Sequence, residues 1–297
     1  MYLERGLRDR AEVGEHPFIA RIAGVLQGAG YRVEYRPDSE SERLKSATRR
    51  GYSLFHMKEP THDRALTFRR VYHYPFWAIE PTGERWNWTV ARSVFPADAV
   101  PRKEADRFYR FWQKRLFGAD AAQATRDGFI YVPLQGRLLD HRSFQTCAPL
   151  DMVQAVIAHF PDRPVVAALH PNETYCQAEL QALQDLVDRN SGLDIRTGGM
   201  QSLLAGCDFT VTQNSAVAFS GFFFGKPAIL FGRSDFHHIA ANVGTLGVSQ
   251  ALQAGDRIAP DYAGYIHWFW QHMSINAGHP SAEDKIRQAF LRAGWPL

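Results

Sequence analysis

The chain has 297 residues, 45% hydrophobic and 22% charged, with a net charge of +3; this is the composition of a globular protein long enough for two domains or one large α/β unit. No run approaches the roughly 18–20 apolar residues that cross a bilayer, and a charge this small and dispersed argues against nucleic acid as a partner. Three widely spaced cysteines, Cys147, Cys176 and Cys207, suit the reduced thiols of a cytoplasmic protein rather than a disulfide framework, and the charged start Met1-Tyr2-Leu3-Glu4-Arg5 has no secretory pattern.

Residues 1–125 carry an irregular, aromatic-rich pattern. Apolar spacing predicts a helix over 17–28, a short strand over 31–35 and a helix over 103–116, stopped by Phe117-Gly118. Between them, Arg69-Arg70-Val71-Tyr72-His73-Tyr74-Pro75-Phe76-Trp77 and Glu84-Arg85-Trp86-Asn87-Trp88 set aromatic rings beside cations. Such runs serve either an aromatic core or a sugar-binding surface.

From Gly128 the pattern becomes regular. Short apolar runs at 129–132, 165–169, 209–212 and 228–231 alternate with helical patterns at 150–159, 179–187, 201–204 and 216–224. Continuously apolar strands separated by helices predict a parallel sheet covered on both faces. Right-handed βαβ winding then gives a doubly wound domain whose ligand crevice lies beyond the carboxyl ends of the strands. The run Tyr265-Ile266-His267-Trp268-Phe269-Trp270 and a final amphipathic helix over 282–293 complete the chain.

Functional residues are therefore sought directly after each strand. The first is followed by Gln135 and a loop holding Arg137, Asp140, His141 and Arg142; the second by His170, Pro171, Asn172 and Glu173; the third by Gln213, Asn214 and Ser215; the fourth by Arg233, His237 and His238. Asp140 is either a base held near cations or a solvated turn residue. His170 is either a donor to a phosphate or an ordinary polar strand-end residue, and Glu173 lines the cleft or caps the next helix. Asn214 and Ser215 fit a helix N-cap and a phosphate site alike. Gly225-Lys226-Pro227 closes a helix and is no P-loop. His237-His238 lacks a third ligand at metal-binding spacing, so no metal is expected.

The ordered set Val132-Pro133-Leu134-Gln135, Asp140, His170-Pro171, Gln213-Asn214-Ser215, Phe219 and Gly225-Lys226-Pro227 resembles the capsule polysaccharide biosynthesis family, bacterial proteins that include Kdo transferases. The match covers roughly residues 128–240. It implies an α/β, GT-B-like architecture: a smaller, less regular N-terminal α/β domain on the acceptor side over 1–125, a doubly wound nucleotide-sugar domain over 126–262, and C-terminal helices over 263–297 packing between the two. It implies further a cytoplasmic glycosyltransferase, with peripheral contact at the inner membrane face, that passes a sugar from a nucleotide donor to a glycan or glycolipid acceptor. The donor would be CMP-linked Kdo or a related acidic sugar, with no other cofactor. On the resemblance Asp140 is the catalytic base and His170 contacts the donor's phosphate or carboxylate. Gln135, Pro171, Asn214 and Ser215 bind the donor, while Glu173, Arg233 and His237 line the cleft. Where many relatives have Lys and Glu, this chain has Ala168 and Ser220. An epimerase or hydrolase of nucleotide sugars, or a non-catalytic binding relative, are the alternatives.

Overall fold

The computed structural model describes residues 1–255 and 257–297. Two compact units are formed, one from Met1–Ser93 with Trp268–Leu297 and the other from Val94–His267. In chain order the strands are β1 (Tyr2–Leu3), β2 (Arg36–Pro37), β3 (Ser53–His56), β4 (Ala65–Arg70), β5 (Phe76–Glu80), β6 (Ile130–Pro133), β7 (Val165–Leu169), β8 (Leu193–Thr197), β9 (Phe209–Thr212), β10 (Ala228–Leu230), β11 (Ala241–Asn242) and β12 (Ile275–Asn276). Among the described residues no helix is long and apolar enough to cross a membrane.

The sheet of the first unit runs β12-β5-β4-β3-β1-β2. Strands β1 to β4 pair in parallel, whereas β5 and β12 are antiparallel additions at one edge. Helix Pro17–Gly28 begins where expected, with proline in its first turn and the His16 Nδ1 accepting from the Ile19 N–H at 3.3 Å. Its Phe18, Ile19, Ile22, Val25 and Leu26 pack into the same core as Ile286, Ala289 and Phe290 of helix Ala282–Arg292. Much of the two aromatic runs is core: Phe76 is fully covered, and Trp77 and Trp88 nearly so. Residues 31–35 are not a strand; pairing starts at Arg36, because β1 is only two residues long and the carbonyls of Met1, just before it, and of Leu3 meet the N–H groups of Arg36 and Asp38.

The second unit is wound as its sequence predicts. Its sheet is wholly parallel, in the order β11-β10-β9-β6-β7-β8. The chain moves outward from β6 through β7 to β8, then returns to the other side of β6 and continues through β9 to β11. This is the doubly wound order, and its direction reverses between β6 and β9. Helix Arg102–Phe117 stops at Gly118, whose φ of 62° lies in the region glycine tolerates. The segment read as one helix over 216–224 is instead an α-helix over Ala216–Gly221 and a 3₁₀ turn over Phe222–Phe224, tightened by the turn at Gly225.

Candidate functional site

Strand order reverses between β6 and β9, and the carboxyl edge at such a switch point is where α/β proteins form a ligand crevice. The Thr212 hydroxyl ties its two lips together. It donates to the Pro133 carbonyl at 3.1 Å and accepts from the Ser215 N–H at 3.4 Å. Gln135 follows Pro133 on one side and is half-buried; Gln213, Asn214 and Ser215 follow Thr212 on the other.

The loop after β6 does not simply turn back. It crosses the ends of β9 and β10, where Thr146 donates to the Phe231 carbonyl at 2.8 Å through its N–H and the Gln213 amide donates to the Cys147 carbonyl at 3.0 Å. The Arg233 N–H reaches the Phe144 carbonyl at 2.8 Å, and its guanidinium reaches the Ser143 carbonyl at 3.1 Å. Asn214 in turn donates to the Arg233 carbonyl at 3.1 Å. Arg233, Asn214 and the loop are thus one hydrogen-bonded assembly.

At the other end of this loop sits the expected acid. Asp140 is exposed and forms an ion pair with Arg137 at 2.7 Å; Arg137 itself has a φ of 66°, a left-handed backbone that is uncommon outside glycine. The β7 loop approaches from beside it. Glu173 lies so close to Gly136 that a Cβ there would come within 2.7 Å of its Oε2. Buried Glu179, at the start of helix Gln177–Arg189, accepts from the Leu138 N–H and, at 2.8 Å, from the Cys176 N–H. Burial acts against its charge, but those two N–H donors together hold its pKa below the ordinary carboxylate value.

His170 is exposed at the end of β7, as Pro171 is beside it. Its backbone N–H donates to the Tyr175 hydroxyl at 2.8 Å and its Nδ1 accepts from the Asn172 N–H at 3.2 Å. With Nδ1 accepting, the neutral ring carries its proton on Nε2. Among the described residues no hydrogen bond or ion pair joins His170 to Asp140. Ser215 is a true N-cap, accepting from the Val217 N–H at 3.3 Å. Its helix has six residues, so the dipole it offers an anion is slight. His237 points Nδ1 at the Ser234 carbonyl, 2.8 Å away, and stacks on His238 at 4.3 Å. Nothing in those contacts ties it to Asp140 or His170.

Three further side chains stand out in the same place. Arg142 stacks on the Phe144 ring at 4.9 Å, yet among the described residues its buried Nε and Nη2 have no hydrogen-bond partner. Burial first, then Arg137, holds its pKa below the usual guanidinium value, while Glu173 and Asp140 pull the other way. The Gln145 Oε1 accepts from the Arg142 N–H at 2.7 Å, but among the described residues its buried Nε2 is unsatisfied, as is the buried Oε1 of Gln213. A buried polar atom left unpaired costs about 1–3 kcal/mol, and four such atoms are carried here by Arg142, Gln145 and Gln213. Composition hints at Arg142, since it stands in a polar loop after a strand, but its burial depends on that loop crossing β9 and β10.

No family model and no curated protein matches the chain. Among solved structures it is similar to KpsC of Thermosulfurimonas dismutans, a beta Kdo 2,7 transferase, at 14% identity with a TM-score of 0.54, over 93% of this chain and 96% of that one. At that identity the likeness is one of fold, and it agrees with the two α/β units and the doubly wound sheet described above. The chain has a GT-B-like α/β fold in common with that glycosyltransferase.

Proposed function

We propose that the chain is a glycosyltransferase that moves a sugar from a nucleotide donor to a surface-polysaccharide or glycolipid acceptor, with a CMP-linked acidic sugar such as Kdo as the donor. The observation that carries this reading is the unsatisfied set Arg142, Gln145 and Gln213 at the switch point. It combines a cation with amide donors and acceptors, the complement of a phosphate or carboxylate next to polar ring substituents.

Around it the expected residues take distinct roles. Asp140, oriented by Arg137, removes the proton of the acceptor hydroxyl as the new glycosidic bond forms and the bond from sugar to phosphate breaks. His170, whose Nδ1 is occupied by the Asn172 N–H, donates through Nε2–H to the departing phosphate, and Arg142 neutralises its charge. Gln135, Pro171, Asn214 and Ser215 line the donor's path, with Glu173 and Arg233 at its margin. His237 is the weakest member of the set, being turned to its own loop.

Incubation with CMP-, UDP- and GDP-sugars, with and without a glycan acceptor, tests the reading. Transfer requires nucleotide release that depends on the acceptor. Release without acceptor would point to a hydrolase, conversion of the donor sugar without release to an epimerase, and binding with neither to a non-catalytic relative, the reading that Ala168 and Ser220 favour.

A further inference from the structure

The first unit contains a cavity of about 380 Å³, within the range of roughly 300–1,000 Å³ typical of small-molecule sites. Arg10, His16, His56, Arg70, Tyr74 and Trp77 line it. Its position follows from the sheet. His56 ends β3 and Arg70 ends β4, while Arg10 lies on helix Arg5–Glu12, which follows β1. The cavity thus sits at the carboxyl edge of three adjacent parallel strands, where open α/β sheets hold ligands. Trp77, opposite Arg70 in the antiparallel register of β4 and β5, forms its wall.

Its charge is uncompensated. Among the described residues neither Arg10 nor Arg70 has a carboxylate within 4.0 Å. The nearby acids are already engaged: Asp38 pairs with Arg43, and Asp9 and Glu12 both lie against Arg8. A metal cation is therefore disfavoured and an anion favoured. The two imidazoles are neutral partners rather than further cations. Burial first, with His16 next, lowers His56 to about 4, and burial with Arg10 also lowers His16. His16 spends its Nδ1 lone pair on the Ile19 N–H at 3.3 Å, which leaves Nε2 as a donor.

The aromatic wall completes the picture. Trp77 is 4% exposed and stacks on Phe18 at 4.8 Å, yet among the described residues its buried indole N–H has no acceptor. A buried tryptophan N–H normally finds one. Tyr74, by contrast, presents an exposed ring at the mouth. Two cations, neutral imidazoles, an indole donor and an open aromatic face together match a ligand with a negative group, several hydroxyls and an apolar ring face.

We propose that this cavity binds an anionic saccharide, with Arg10 and Arg70 on its carboxylate or phosphate and His16, His56 and Trp77 on its hydroxyls. The site is separate in residues from the crevice at β6 and β9 and stands whether or not that crevice transfers sugar.

Isothermal titration of the full chain with glucuronate, glucose 6-phosphate, glucose and inorganic phosphate tests it, with the imidazole NMR signals of His16 and His56 reporting location. At least one of the two acidic sugars binds and shifts both imidazoles. Binding of glucuronate alone identifies a carboxylate as the anion, and binding of glucose 6-phosphate alone a phosphate. Glucose and inorganic phosphate each bind at least about tenfold more weakly, a difference of ~1.4 kcal/mol. The double variant R10A/R70A loses at least about tenfold in affinity with its melting temperature retained, and Trp77→Phe, which keeps the stacked ring, loses about two- to tenfold, the worth of one hydrogen bond. The proposal is overturned if neither acidic sugar binds, if glucose or phosphate binds as tightly as they do, if the imidazoles stay unmoved, or if R10A/R70A binds normally.

Discussion

Arg142 is the residue whose environment asks most for a ligand, because among the described residues its buried Nε and Nη2 have no partner while its ring neighbour Phe144 stacks on its guanidinium. Arg142→Ala should weaken nucleotide-sugar binding by about ten- to a hundredfold, since a charge-assisted hydrogen bond is worth ~1.5–3 kcal/mol; titration with unchanged affinity would remove Arg142 from the site. Histidines give a second prediction. Burial is the main cause that pushes His56 and His73 down to about 4, from 6.5 in the open chain. As pH falls below 6.5 the unfolded chain takes up protons that the folded chain refuses, so the contribution of these two histidines to stability declines from about pH 6.5 to about 4 and then levels off. Urea unfolding across that window should show the decline, and H56Q/H73Q should flatten it; an equal slope in the variant would mean other groups are responsible. Residue types at strand ends were legible in the chain, as Asp140, His170 and Ser215 illustrate. Their pairings were not, because the Arg137 backbone at φ 66° and the crossing of residues 143–147 over β9 and β10 are products of tertiary packing.

Among the elements, the strands with continuous apolar runs were readable because both faces of β6, β7 and β9 are covered. Strand β8 escaped the pattern for the opposite reason. It is an edge strand that puts Asp194 and Arg196 outward as a 2.8 Å pair, so its sequence alternates instead of running apolar. Its omission did not disturb the site, since β10, β9, β6 and β7 are neighbours in space although β8 intervenes in sequence. Helix Ala282–Arg292 shows how a periodic element is held: Ile286 and Phe290 are completely buried on its inner face. Ile286→Ala should cost about 2–5 kcal/mol of stability, read as a lower denaturant midpoint. A change below ~0.5 kcal/mol, the scale of a surface substitution, would mean that the face is not core.

At the scale of the molecule, the first unit is discontinuous in sequence. Its sheet is extended by β12 through Ile275 opposite Trp77, and its core includes Trp295, stacked on Phe290 at 4.7 Å. No periodicity in a linear reading shows that the last segment returns to the first strands. Removal of residues 268–297 should therefore leave the first unit unable to close its core, seen as protease sensitivity throughout 1–93; a protected unit after that deletion would show that it folds without its final helix. The second unit, with a sheet drawn from one stretch of chain, is the part whose architecture the alternation of strands and helices foretells, and it carries the proposed chemistry. The central claim is tested most directly by comparing the intact chain with Asp140→Ala in transfer from a CMP-linked acidic sugar to a glycan acceptor. Asp140 is exposed and its loss should leave folding and CMP binding intact, while transfer falls by about a hundredfold or more, the contribution of a general base; transfer at the original rate by Asp140→Ala would contradict the account.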